Sequence, residues 1–358
     1  MTVPPRRGVR AATLVTVLTV AAAGCAKSED DKQAGAQDTQ GQQQVVQTPS
    51  GNAPACTISK FGATKFDLKS GTVGFSQSEK EANPFRIAET ASIKAEAKKL
   101  GVGSLKATNG QSQFNKQISD VQQLIAQGAQ ALIIAPLNSD GWEPVLRQAS
   151  TKHIPIITVD RQINATACKD YVTFIGSNFY EQGKRAADQM VKALGGKGKV
   201  AILLGASGNN VTTDRTNGFK DEIKQKAPGI QITFQQTAEF TREKGQQVTE
   251  QLIQSNPDVN GLYAENDEMG LGAVTALKGA GKKAGQIKIV TVDGTRNAVS
   301  QIPSGWISAV IESNPRFGPL AFQTLTRFLG GEAIPDKVII TDREYDPSNA
   351  RQSVSSAF

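Results

Sequence analysis

The chain has 358 residues, 38% apolar and 20% charged, with 40 basic against 33 acidic side chains and a formal charge of +7. That length predicts about two domains with sizeable cores. The cations are spread along the chain without Lys/Arg blocks interleaved with aromatics, which argues against a nucleic-acid partner. A single histidine, His153, excludes most zinc sites and histidine-based triads.

At the N-terminus, Arg6, Arg7 and Arg10 precede an apolar run from Ala11 to Ala23. This is the pattern of an export signal, too short for a permanent membrane span. Ala22 to Cys25 (AAGC) resembles the bacterial lipobox, in which the cysteine becomes the lipidated first residue; the alternative is an ordinary cleaved signal with an incidental cysteine. Residues 1–25 are thus expected to be a lipoprotein signal, with Cys25 as the acyl attachment point. Residues 26–69, polar above all from Ala26 to Pro54, are expected to be a disordered tether. In an exported chain the two remaining cysteines, Cys56 and Cys168, favour a disulfide over two free thiols.

From Thr72 onward, strands and helices alternate. TVGFSQ (Thr72 to Gln77) predicts a strand, and a helix follows from about Phe85 to Leu100. SLKATNG is a second strand and turn, Gln113 to Gln127 a helix, Ala131 to Pro136 a third strand, and Trp142 to Thr151 a helix. IPIITVDR (Ile154 to Arg161) has the continuous apolar run of a strand buried on both faces, and it ends on an acid and a base. Tyr171 to Ser177 reads as a connecting strand, with a helix around Gln182 to Leu194. The alternation then restarts. Lys199 to Gly205, Ile230 to Gln236, Gly261 to Asn266 and Ile287 to Gly294 are strands. Asp214 to Lys226, Thr241 to Ser255 and a segment ending at Ala280 are helices. Trp306 to Ser313 is a strand, Phe317 to Leu329 a helix, and Lys337 to Asp342 a last strand.

Two successive βα runs define an α/β protein of two doubly wound, Rossmann-like lobes with parallel sheets. The expected division is residues 70–176 plus 314–342 for the first lobe and 177–313 plus 343–358 for the second. Several chain crossings between them make a multi-strand hinge that permits closure over a ligand.

Ligands of open α/β sheets bind beyond the carboxyl ends of the strands. Asp160 and Arg161 stand at such an end, and Phe85 and Arg86 follow the first strand. In the second run the strand ends bring Asp214 and Arg215, Phe240, Asn266 and Asp293. Vicinal hydroxyls match the two-pronged geometry of carboxylate, guanidinium and amide, and aromatic faces cover the C–H surface of a sugar ring. Each member also has a structural reading. Asp160–Arg161 is a possible plain ion pair, Asp214 a helix N-cap, Asp267 and Glu268 acids at a helix N-terminus, and Phe85 and Phe240 core residues. Trp142 reads as packing.

The segments IAPLNSDGWEPVL, IPIITVDR, TDRTNGF, EFTREKGQQV, YAENDEMGLGAV and TVDGT resemble the type I periplasmic, ribose-type sugar-binding proteins of ABC importers. Within that group the chain is most similar to the galactofuranose-binding receptors. The resemblance covers about Thr72 to Asp346. It implies ligand contacts at Phe85, Arg86, Asp160, Arg161, Arg215, Phe240, Asn266 and Asp293, with Ser313 or Asn314 near a hinge amide position. Phe85 departs from the tryptophan common in the galactofuranose group. The resemblance also implies a monomeric, non-enzymatic protein without cofactor or metal. Its expected partners are a monosaccharide, the permease subunits of an ABC transporter and, through Cys25, the outer face of the cytoplasmic membrane. A receptor for a furanose signal would share the fold and cleft and differ in its downstream partner. A repressor would need a DNA-binding segment before Thr72, where the export signal and tether stand.

Overall fold

The computed structural model describes residues 55–358 together with the backbone strand β1 (Gln44–Val46). The expected signal and Cys25 lie outside the described residues. A short helix α1 (Ile58–Phe61) leads into the first run: β2 (Thr72–Gln77), α2 (Pro84–Leu100), β3 (Ser104–Asn109), α3 (Phe114–Ala126), β4 (Ala131–Ile134), α4 (Glu143–Thr151), β5 (Ile156–Val159) and β6 (Thr173–Gly176). The second run is α5 (Phe179–Leu194), β7 (Lys197–Leu204), α6 (Asn210–Lys226), β8 (Gly229–Thr237), α7 (Arg242–Ser255), β9 (Gly261–Ala264), α8 (Asp267–Gly279), β10 (Lys288–Asp293), α9 (Arg296–Val299) and β11 (Ala309–Glu312). The chain ends with α10 (Gly318–Leu329), β12 (Lys337–Thr341), β13 (Glu344–Tyr345) and α11 (Ala350–Ser353).

These strands form two sheets, ordered β1-β12-β6-β5-β4-β2-β3 and β13-β11-β10-β9-β7-β8. All pairings are parallel except those of the outer strands β1 and β13. Successive side chains on a strand point to opposite faces, which explains the unbroken apolar runs of sheets covered on both sides. In the first sheet Ile133, Ile157, Val159 and Ile175 pack with α2 and α10, while Leu132, Ile134 and Ile156 pack with α3 and α4. In the second, Val200, Ile202, Tyr263 and Val292 face α5 and α6, and Ala201, Leu203, Leu262 and Ile289 face α7 and α8.

The chain passes from the first sheet to the second after β6, returns after β11 and crosses again after β12. At the crossings Ser177 Oγ donates to Asp342 Oδ1 (3.0 Å), and Gln182 Nε2 donates to Asp342 Oδ2 (2.8 Å) and to the Glu312 carbonyl (3.2 Å). The backbone N–H of Arg343 donates to Glu312 Oε2 (3.0 Å). The three crossovers are therefore tied to one another in a compact polar knot.

Part of the expected tether is ordered. β1 pairs antiparallel with β12, so the outer edge of β12 gains hydrogen-bond partners. Cys56 exchanges both backbone hydrogen bonds with Ile334 and forms a disulfide with Cys168. Phe61, Ala63, Phe66 and Leu68 pack on the first-lobe core, so residues 55–69 belong to the globule, against the expectation of a tether through residue 69. A second correction concerns Asp214 and Arg215, which do not end a strand. Asn209 caps a helix that begins at Asn210, and the pair lies in its second turn.

Candidate functional site

β5 stops at Val159 because the next residue takes a left-handed conformation. Asp160 has φ 64°, its N–H donates to the Ile175 carbonyl (3.0 Å), and the N–H of Arg161 turns back to the Val159 carbonyl (2.7 Å). This tight turn brings both side chains to the lining of one cavity. Aspartate tolerates that conformation better than most residues. Phe240 (φ 59°) and Asp293 (φ 134°) adopt equally rare backbone angles. Positive φ outside glycine costs about 1–3 kcal/mol per residue and clusters at functional sites.

Arg86 occupies the first turn of α2, which Asn83 caps through the Phe85 N–H (2.9 Å) and Pro84 opens. Its guanidinium meets three carboxylates: Glu79 (Nε to Oε2, 2.9 Å), Glu89 (Nη1 to Oε2, 2.8 Å) and Asp160 (Nη1 to Oδ2, 2.7 Å). Arg161 Nη2 donates to the other oxygen of Glu79 (2.7 Å), and Arg161 Nε lies 3.7 Å from Asp160 Oδ2. Burial would push the Glu79 carboxyl up, but the guanidiniums of Arg161 and Arg86 outweigh it and hold it at about 2. Glu89 behaves oppositely: burial dominates over Arg86, and with Asp160 nearby its carboxyl is pushed up to about 7. Arg161 Nε is buried with no hydrogen-bond partner among the described residues. A buried donor without a partner is costly, and a ligand oxygen relieves that cost.

The second-lobe groups are anchored differently. Arg215 on α6 donates from Nε to Gln182 Oε1 (2.9 Å) and from Nη1 to the Glu265 carbonyl, and lies over the Phe179 ring. Close contact of α5 with α6 makes this possible: a Cβ at Gly183 would meet the Arg215 carbonyl at 2.2 Å, and one at Gly218 the Tyr180 carbonyl at 2.0 Å. Asp293 is buried and its nearest cation is Arg215 Nη2 at 3.5 Å. Burial drives its carboxyl well above the usual range; Arg215 opposes this, while Asp267 and Asp160 add to it. Asn266 caps α8 through the Met269 N–H (2.9 Å) and donates to the Phe240 carbonyl (3.1 Å).

Asp267 is more than an acid at a helix N-terminus. Its carboxylate accepts from the N–H groups of Gly294 (2.9 Å) and Thr295 (2.6 Å) and from the hydroxyls of Thr291 and Thr295, fixing the turn that carries Asp293. Glu268 pairs with Arg242 (2.8 Å). Trp142 is buried, donates to the Asn138 carbonyl (2.8 Å) and packs edge-on against Phe114.

All eight residues singled out from the sequence, Phe85, Arg86, Asp160, Arg161, Arg215, Phe240, Asn266 and Asp293, line one cavity between the sheets, together with Glu79, Asn83 and Val211. The lobes are closed over it. The N–H of Ser139 donates to the Gly208 carbonyl (2.9 Å), the N–H of Gln162 to Asn210 Oδ1 (3.0 Å), and the Arg161 guanidinium lies 5.8 Å from the Phe240 ring centre. Sequence reading missed Glu79, although it stands two residues past the end of β2 and that strand end was the available signal, and Gln182, which links Arg215 to the crossovers. Ser313 and Asn314 are buried at the second crossover and are not among the cavity's lining residues.

Two parallel sheets joined by three crossovers, with polar groups from both meeting in a closed cleft, define the type I periplasmic binding fold. The chain belongs to the periplasmic binding protein domain family, whose model matches residues 73–333. It is similar to the galactofuranose-binding protein YtfQ of Escherichia coli, 36% identical over 289 residues that cover 79% of this chain and 90% of the relative. It is also similar to a ribose import binding protein of Bacillus subtilis, 34% identical over 74% of this chain and 84% of that one. Among solved structures, the binding component of the arabinose ABC transporter from Shewanella sp. ANA-3, bound to α- and β-L-arabinofuranose, superimposes with a TM-score of 0.76. It is 34% identical, covering 79% of this chain and 94% of its own.

Proposed function

We propose that this protein is the extracytoplasmic solute-binding component of a sugar ABC importer, that it captures one monosaccharide in a furanose-compatible site, and that it delivers the sugar to the permease. The observation that carries this reading is the convergence of three guanidiniums, two aspartates, an amide and two phenyl rings from two separate lobes on one closed cavity. Polar groups that converge with two aromatic rings on one concave site are the usual make-up of a small-molecule pocket. The relatives named above, whose descriptions specify furanoses, ribose and import, support the same class of ligand. Nothing in the site is arranged to turn a sugar over: Asp160 is held by Arg86, and the geometry serves binding.

Ring hydroxyls would bond to Asp160, Arg161, Arg86 and Asp293, with Phe85 and Phe240 against the C–H faces. Residues 70–176 with 314–342 and 177–313 with 343–358 would move as two bodies about the crossovers, and a ligand touching both drives closure. Lipid attachment at Cys25 would hold the protein, as a monomer, at the outer face of the cytoplasmic membrane near its permease. A thermal-shift panel of L-arabinose, D-galactose, D-fucose, D-ribose and D-fructose tests the reading. One sugar should raise the melting temperature, and Asp160→Ala and Arg161→Ala should each abolish that rise while the proteins stay folded. A retained shift in those variants places the sugar elsewhere.

A further inference from the structure

Glu79 is absent from the set read off the strand ends, yet it joins the two first-lobe guanidiniums. One carboxylate oxygen receives Arg161 Nη2 at 2.7 Å and the other Arg86 Nε at 2.9 Å. Both arginines are buried, whereas the Glu79 side chain keeps 16% of its surface open, so this acid is the most accessible member of the network. Without it, Arg161 would retain only Asp160, 3.7 Å away, and the neutral carbonyls of Pro136 and Leu137 at 3.4 and 3.3 Å. Two guanidiniums then stand against Glu79 and Asp160, two charges of each sign. Glu89, the third acid at Arg86, is the poorer counter-ion because burial favours its neutral form.

We infer that Glu79 is a positioning residue that sets the charge balance of this half of the site and thereby makes the cleft select an uncharged sugar over the corresponding sugar acid. The inference rests on the monosaccharide-capture reading above. With the ions of this half balanced, a sugar carboxylate entering beside Asp160 and Glu79 meets two paired acids and no spare first-lobe guanidinium, while Arg215 across the cleft is already held by Gln182, the Glu265 carbonyl and Asp293. Like charges at close range in a poorly solvated site repel strongly. Removing the Glu79 charge leaves an excess guanidinium that an anionic sugar can neutralise.

The test is titration calorimetry on the purified wild-type protein, Glu79→Gln and Glu79→Asp. The probes are the neutral sugars of the panel above and D-galacturonate, which differs from D-galactose by a carboxylate at C6. The wild type should bind a neutral sugar and reject galacturonate. In Glu79→Gln the preference for neutral over acidic sugar should shrink by about 10–100-fold, through a real gain for galacturonate, and Glu79→Asp should keep the wild-type preference. Equal weakening for both ligands, no gain for galacturonate, or a Glu79→Gln protein that does not fold would overturn the inference, because Glu79 would then only hold the arginines. An Asp variant behaving like Gln would overturn it as well. If the wild type binds no neutral monosaccharide, the capture reading itself fails and this inference falls with it.

Discussion

The two halves of the cleft are built on different principles. In the first lobe, Glu79, Arg86, Asp160 and Arg161 hold one another, and each ion has its counter-ion within the set. In the second lobe, Arg215 is fixed by Gln182 and by a backbone carbonyl, Asn266 by a helix cap, and Asp293 reaches only a distant guanidinium. The ions of the first half pair among themselves, with Arg161 Nε and Glu89 Oε1 the buried atoms left without a hydrogen-bond partner among the described residues. The second presents a buried carboxylate that lacks a close partner, and a ligand hydroxyl would provide one. Pre-organisation on one side and an unmet acceptor on the other give a reason for the lobes to close on a polyol rather than on each other.

The largest expected effect probes the first half. Arg86→Ala leaves Glu79, Glu89 and Asp160 facing one another without their shared cation, and breaking such a buried cluster should cost about 3–5 kcal/mol in denaturant unfolding, with ligand binding lost. A cost below about 1 kcal/mol would show that the network is not interlocked. Acid titration sharpens the same point. The Glu79 carboxyl is lowered from 4.5 to about 2 on folding, so its stabilisation is present above pH 4.5 and is lost as the pH falls toward 2. Glu79→Gln should remove about 3 kcal/mol of that acid-side loss, read from unfolding midpoints between those limits.

Asp293→Asn tests the other half and should separate affinity from stability. Because the folded-state carboxyl is raised above 3.8, the folded protein holds its proton longer, and ionisation costs stability progressively as the pH rises above about 4. The variant should therefore be the more stable protein at pH 7, by a margin that shrinks toward pH 4, while binding sugar about 10–100-fold more weakly because an amide offers one acceptor oxygen where the carboxyl offers two. An unchanged affinity would remove Asp293 from the ligand contacts. The smallest effect concerns closure alone. Asn210→Ala deletes the acceptor for the Gln162 N–H, worth about 1 kcal/mol, so affinity should fall about fivefold. Small-angle scattering should show a more open ligand-free form, with thermal unfolding nearly unchanged.

Much of this site was legible because sheet topology does most of the placing. Asp160, Arg161 and Asp293 directly follow or end strands, and Asn266 follows β9, so a reading of apolar runs and their abrupt ends finds them. Arg215 was found for a partly wrong reason. It projects from the second turn of a helix, and the glycines that let α5 and α6 approach are what bring it to the cleft. Glu79 was missed although the end of β2 lies two residues before it; its role and that of Gln182 depend on partners 82 and 33 residues away, which no local pattern encodes. The tether was drawn too long because single apolar residues such as Phe61 and Phe66 look unsupported until the core that receives them is assembled.

Alone, the sequence determined the alternation of strands and helices, the two-lobed plan and the identity of the strand-end charges, because burial periodicity and capping residues act over a few neighbours. Only the tertiary structure decided which charge pairs with which, that β1 and residues 55–69 join the first lobe, and that side chains from both halves line one cavity. Those outcomes depend on distances between segments remote in the chain, and such distances are fixed by packing rather than by any local residue preference.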